Sequence, residues 1–213
     1  MESQFISEYS VGEEIFNSLT HGLGILLSIA GLVILLVYAS ARGNLLHIAA
    51  YSIFGSSLIV LYLCSTLYHS FSTPGIKQFF KKLDHSAIYI LIAGTYTPFT
   101  LIHIKGTAGW VIFGIVWTMA FAGIIFKFTC MSKIEKFSSA LYIIMGWVCI
   151  FAMDKVIAAL STQALVYLVL GGVLYTGGVI FFAWDRLKFN HGIWHLFVLA
   201  GSTFHFFALL NGI

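Results

Sequence analysis

The stretch FNHGIWHLFVLAGSTFHFFALLNGI, Phe189 to Ile213, runs for 25 residues without an Asp, Glu, Lys or Arg. A helix needs about 20 predominantly apolar residues to cross a hydrocarbon core about 30 Å thick, and this one has them. Six further runs are equally free of charge: Ile15 to Ala41, Leu45 to Ile76, His85 to Ile104, Gly106 to Phe126, Phe137 to Met153 and Val156 to Trp184. The whole chain explains why. It is 60% hydrophobic, only 9% charged, and has a mean hydropathy of +0.97. A soluble domain carries about 25% charged residues to make its polar shell. The same composition excludes disorder, a coiled coil and a nucleic-acid-binding module, and a net charge of +3 is too small to suggest a polyanion partner. None of the runs alternates with the ten-residue dyads of a membrane barrel. The expectation is an all-α integral membrane protein, a bundle of seven transmembrane helices in contact with membrane lipids.

The positive-inside rule gives the orientation. With the N-terminus in the cytoplasm, the inner loops carry Lys77, Lys81, Lys82, Lys127, Lys133, Lys136, Arg186 and Lys188, while the outer loops carry Arg42, Lys105 and Lys155. The N-terminus is therefore expected inside and the C-terminus outside, in the plasma membrane. Residues 1–213 read as a single membrane domain, with residues 1–14 as a short cytoplasmic segment. Four Glu and no basic residue precede Arg42, which does not suit a cleavable signal peptide. In the connection Ser70 to Leu83, Ile76, Phe79, Phe80 and Leu83 repeat at helical spacing opposite Lys77, Lys81 and Lys82. That pattern fits either a short helix on the anionic inner leaflet or a solvated basic loop. Cys64, Cys130 and Cys149 lie in three segments without CxxC spacing and read as packing residues.

An ionisable side chain inside hydrocarbon needs an explanation, and this chain has eight histidines. His191 and His195 stand four residues apart, so their rings leave one helix face, the spacing of a zinc half-site. His69 falls near the inner end of the second span, with Ser65 one turn earlier. Asp84 and His85 enter the third span from the same side, and Asn17 and His21 begin the first. His69, Asp84, His191 and His195 thus share one thin slab at the inner interface. Three imidazoles would leave a fourth tetrahedral position on zinc for water, with Asp84 as a base beside it. Asp84 is equally readable as a helix N-cap. His85, His21 and Asn17 read as bundle hydrogen-bonding groups, and His47 and His103 as ring positions at outer helix ends. His205 lies about 21 Å along the helix from His191, too far to share its metal. Gly171, Gly172, Gly177 and Gly178 read as close-approach positions, and Pro98 as a kink.

The runs EEIFNSLTHGLG (Glu13 to Gly24), STLYH (Ser65 to His69), LDHSAIYILIAGTYTPF (Leu83 to Phe99) and HGIWH (His191 to His195) resemble the bacterial hemolysin III family. That family is the prokaryotic branch of the progestin and adipoQ receptors, which include the adiponectin receptors. The resemblance implies a zinc ion near the cytoplasmic side of seven helices, held by the histidines matching His69, His191 and His195. It further implies that Asp84 contacts the zinc-bound water, that Ser65 lies beside it, and that a ceramidase-like activity is worth testing. The long cytoplasmic N-terminal region of the receptors is missing and the His69 to Asp84 loop is shorter, so adiponectin recognition does not carry over. Three functions follow as expectations. The first is a zinc-dependent hydrolase of a lipid amide or ester. The others are a cytolytic or pore-forming protein, and a regulator of membrane lipid state with structural zinc.

Overall fold

The computed structural model describes residues 9–41 and 45–212, and of residues 130–137 the helical backbone alone. Arg42 and the side chains of Cys130, Lys133 and Lys136, which entered the readings above, lie outside what is described. Every regular element among the described residues is helical. In chain order they are α1 (Val11–Ala41), α2 (Leu45–Ser70), α3 (Pro74–Pro98) with a π-helical continuation (Phe99–Ile104), α4 (Gly106–Gly146), a short 3₁₀ turn (Val148–Ala152), α5 (Met153–Ala159), α6 (Thr162–Phe182) and α7 (Asn190–Asn211). Seven stretches are long and apolar enough to cross a membrane, as the charge-free runs predict. The fifth, Ser138–Ala159, reaches further than expected, and the third begins at Pro74.

α4 is helical over 41 residues, which as a straight rod would measure about 60 Å. Yet Lys127 Nζ and Tyr142 OH both reach His85, at 3.3 Å from its Nδ1 and 2.9 Å from its carbonyl oxygen. The chain therefore folds back between them, and α4 supplies the fourth span and the start of the fifth. α1 packs on α2, α2 on α3, α3 on α4 and α6 on α7, and α1 against α7 closes the circle. The inside of that circle is filled by Tyr51, Phe54, Leu61, Leu91, Val198 and Leu209. The outside of α1 presents Leu19, Leu23, Leu26, Val33 and Val37, each more than half exposed. So long an apolar face is the surface of a protein solvated by lipid.

Two features correct the expectations. The connection Ser70 to Leu83 is neither loop nor separate surface helix, because α3 starts at Pro74 and continues into the bundle. Within it Ile76 and Phe79 are exposed, while Lys77 on the opposite side is buried. The cause is electrostatic. Glu14 Oε1 lies 2.9 Å from Lys77 Nζ, and the ammonium donates to the carbonyls of Tyr68 and Phe71 at the end of α2, where a cation is favoured. Secondly, only two of the four glycines on α6 hold α7 close. A methyl on Gly171 would collide with the His205 ring, and one on Gly178 would stand 2.8 Å from Phe197 Cβ, whereas Gly172 faces open space and Gly177 makes ordinary contact. Pro98, expected to kink its helix, ends α3; it has no N–H for the carbonyl four residues back, and the helix widens into the π-helical turns.

Across the middle of the bundle Tyr62 OH donates to Ser202 Oγ at 2.8 Å, and Tyr175 OH lies 2.6 Å from the same oxygen. One α7 hydroxyl thus joins α2 to α6. Ser202→Ala is expected to lower stability by about 1–2 kcal/mol, since interhelical hydrogen bonds in membranes average about 0.6 kcal/mol each and two share this atom. Thermal unfolding in detergent measures it.

Candidate metal centre

The start of α7 is fixed by an unusual residue. Phe189 takes a left-handed backbone, φ 58°, although it is not glycine, a conformation that costs about 1–2 kcal/mol. Its N–H donates to Glu13 Oε1 at 3.0 Å, and its ring meets Phe16 edge-on at 5.6 Å. These contacts to α1 hold the turn that lets α7 begin at Asn190. His191 and His195 then fall in the first and second turns, on one face. His69 is the penultimate residue of α2, and the packing of the circle brings it to them.

The nitrogen ligand atoms of His69, His191 and His195 all lie within 4.8 Å of one another. Ring centroids are separated by 4.6 Å for His191 and His195, 5.0 Å for His69 and His191, and 5.2 Å for His69 and His195. All three residues are buried. Bonds of about 2.0–2.1 Å in a tetrahedron put nitrogens about 3.4 Å apart, so the rings need to draw in by at most about 1.4 Å. Each Nδ1 faces α1. Nε2 of His191 and of His195 is buried and has no hydrogen-bond partner among the described residues. A buried polar atom left so costs about 1–3 kcal/mol, and their concentration at one end of the bundle marks a place built for a ligand. Three buried imidazoles this close can hold a metal ion.

Asp84 does not belong to the three-ligand group. It is also no N-cap, because Thr73 occupies that position and Asp84 sits well inside α3. Its carboxylate is 1% exposed and interacts with Ser65, Lys127 and Lys81. Ser65 is in turn one helical turn from His69. His85 is a bundle residue, as expected, held by Lys127 and Tyr142. His205 stands apart, its Nε2 at 3.2 Å from the Leu168 carbonyl. His103 stands at a helix end, as expected, half-buried and packed on Phe99.

Sequence reasoning set His21 and Asn17 aside as bundle groups, and it missed Tyr9, Glu14 and Thr20. His21 stacks on His195, centroids 3.5 Å apart and planes at 11°, with neither ring nitrogen hydrogen-bonded among the described residues. Both amide atoms of Asn17 are in the same condition. Glu14 and His21 lay within the run EEIFNSLTHGLG, but no local pattern could assign them to a cluster whose three histidines come from α2 and α7.

Beside the cluster an apolar cavity of about 180 Å³ opens between α3, the fifth span, α6 and α7; Ile88, Tyr96, Leu168, Val179 and Trp194 line it. Trp194 is the shared wall, its ring 5.1 Å from His191 and 5.4 Å from His195.

Seven apolar spans closed around buried, convergent histidines define a multi-pass membrane protein with a candidate metal centre. The chain belongs to the Haemolysin-III related family, whose model matches residues 9–206 and so takes in every residue of the cluster. It is 49% identical to Hemolysin-3 of Bacillus cereus over 200 residues, covering 94% of this chain and 91% of that protein. The Hemolysin-3 homolog of Bacillus subtilis (strain 168) is 46% identical over 202 residues, covering 95% of each. Monocyte to macrophage differentiation factor of Homo sapiens is 30% identical over 164 residues, covering 74% of this chain and 67% of the human protein.

Proposed function

We propose that this protein is a zinc-dependent hydrolase of a lipid amide or ester, working inside the plasma membrane near its cytoplasmic face. The observation that carries the reading is the convergence of His69, His191 and His195 within 4.8 Å, with the buried side chains of Ser65 and Asp84 at the same end of the bundle. Three neutral imidazoles suit zinc with one open position, the pattern of catalytic rather than structural sites. When bound, zinc supplies a Lewis acid and an activated water at neutral pH.

The protein's own groups have the following roles in this reading. The three imidazoles hold the ion. Asp84 Oδ2 takes the proton from the water as it attacks the substrate carbonyl, and returns it to the departing amine or alcohol as the C–N or C–O bond breaks. Ser65 Oγ–H donates to the oxygen that becomes negative. The apolar cavity behind Trp194 takes the hydrocarbon part of the lipid. The N-terminus is cytoplasmic and the C-terminus outside, as the lysine distribution indicates, which puts the cluster at the inner leaflet.

Purified protein in lipid nanodiscs, offered a panel of ceramides, acyl esters and phospholipids, is expected to release fatty acid from at least one of them. A strong chelator should stop the release and added zinc restore it. A zinc-loaded preparation inert to the whole panel would overturn the assignment. The name of the Bacillus cereus relative, Hemolysin-3, keeps membrane lysis as the second reading. Graded solute leakage from liposomes at a defined oligomeric state, with a sharp size cut-off, would favour it.

A further inference from the structure

α1 contributes no ring to the three-histidine cluster, yet all three rings are set against it or against Tyr9, two residues before it. Glu14 Oε2 lies 2.7 Å from His69 Nδ1. Tyr9 OH lies 3.1 Å from His191 Nδ1, and its ring packs 5.0 Å from His191 and 5.7 Å from His69. The Asn17 carbonyl oxygen and Thr20 Oγ1 stand 3.1 and 3.2 Å from His195 Nδ1. In every case the contacted atom is Nδ1, which leaves the opposite ring nitrogen to face the cluster.

Glu14 is itself anchored. Its second oxygen bonds Lys77 of α3 at 2.9 Å, and Lys77 is fixed by the Tyr68 and Phe71 carbonyls and lies 4.5 Å over the Tyr68 ring. The carboxylate therefore joins α1 to the ends of α2 and α3. A carboxylate accepting from Nδ1–H selects the imidazole tautomer whose Nε2 lone pair is free, fixes the plane of the ring, and makes that lone pair more basic. Turning His69 away from the cluster would break a short, charge-assisted hydrogen bond.

We infer that Tyr9 and the first turns of α1 are the positioning shell of the metal centre, and that Glu14, acting through His69, is the residue that sets metal affinity most strongly. The inference rests on the reading of the three histidines as a metal site. Glu14 outranks Tyr9, Asn17 and Thr20 because it alone brings a negative charge, at the shortest distance. It is a positioning residue and touches no substrate.

The test uses the full chain in detergent, with zinc affinity measured by competition against a chromogenic chelator and ligand geometry read from the visible spectrum of the cobalt(II) form. Glu14→Ala is expected to weaken zinc binding by about 10–100-fold and to shift the cobalt bands. Glu14→Gln keeps an oxygen acceptor for Nδ1–H but loses the negative charge, so its zinc affinity and cobalt spectrum should fall between those of Glu14→Ala and wild type. Leu19→Ala, on the lipid-facing side of the same helix, should match wild type. A folded Glu14→Ala with wild-type affinity and spectrum overturns the inference while leaving the metal reading standing; a wild type that binds no zinc overturns both. If Glu14→Ala does not fold, Tyr9→Phe decides. It removes one hydroxyl and is expected to weaken zinc several-fold, and wild-type affinity there refutes the shell.

Discussion

Asp84→Ala is expected to keep zinc at wild-type stoichiometry while hydrolysis falls by about 10²–10⁴-fold, the usual contribution of a positioned general base. The separation of the two effects follows from where Asp84 stands. It is outside the three-histidine group, on α3 rather than α2 or α7, where it meets Ser65 and feels the charges of Lys81 and Lys127. Removing it takes away a proton acceptor but no ligand. Metal content and fatty-acid release measured on one preparation check both halves. Loss of zinc with the carboxylate would make Asp84 a ligand and remove the base from the mechanism. Should the metal be purely structural and the protein a regulator of membrane state, Asp84→Ala would instead keep wild-type function in cells.

His191→Ala is expected to abolish zinc retention and turnover together. Two imidazoles remain, and the loss should exceed the 10–100-fold that removal of a supporting contact costs. His205→Ala on the same helix serves as the contrast. It lies 14 residues further along α7, about 21 Å, and its ring is engaged by the Leu168 carbonyl and pressed against Gly171. That variant should keep its zinc. Elemental analysis of the two proteins after gel filtration separates them, and equal zinc in both would exclude His191 as a ligand.

The spans were legible because charge is costly in hydrocarbon, so 19 charged residues, 11 basic and 8 acidic, punctuate the chain where it leaves the bilayer. The meeting of the three histidines was legible for a related reason. His191 and His195 share a face by helical spacing, and alternating direction of the spans puts the end of α2 at the same level as the start of α7. Depth can be counted from sequence; rotation and partnership cannot. Ile76, Phe79, Phe80 and Leu83 make the same periodic pattern whether their helix lies on the membrane or leads into it, and it is Glu14 on α1 together with the Tyr68 and Phe71 carbonyls that holds Lys77 inward. The N-cap reading of Asp84 failed through the same ambiguity about where α3 begins. The stack of His21 on His195, and the meeting of Glu14 with His69 across 55 positions of chain, are tertiary facts with no local signature.

X-ray absorption at the zinc edge of purified, zinc-loaded protein measures the proposed centre itself. Three imidazole nitrogens and one further light ligand at about 2.0–2.1 Å, with the multiple-scattering pattern of histidine rings and no sulfur shell, is the predicted spectrum. A shell at about 2.3 Å from cysteine sulfur, a zinc surrounded by oxygen alone, or a protein that retains no zinc would contradict a metal site built by His69, His191 and His195.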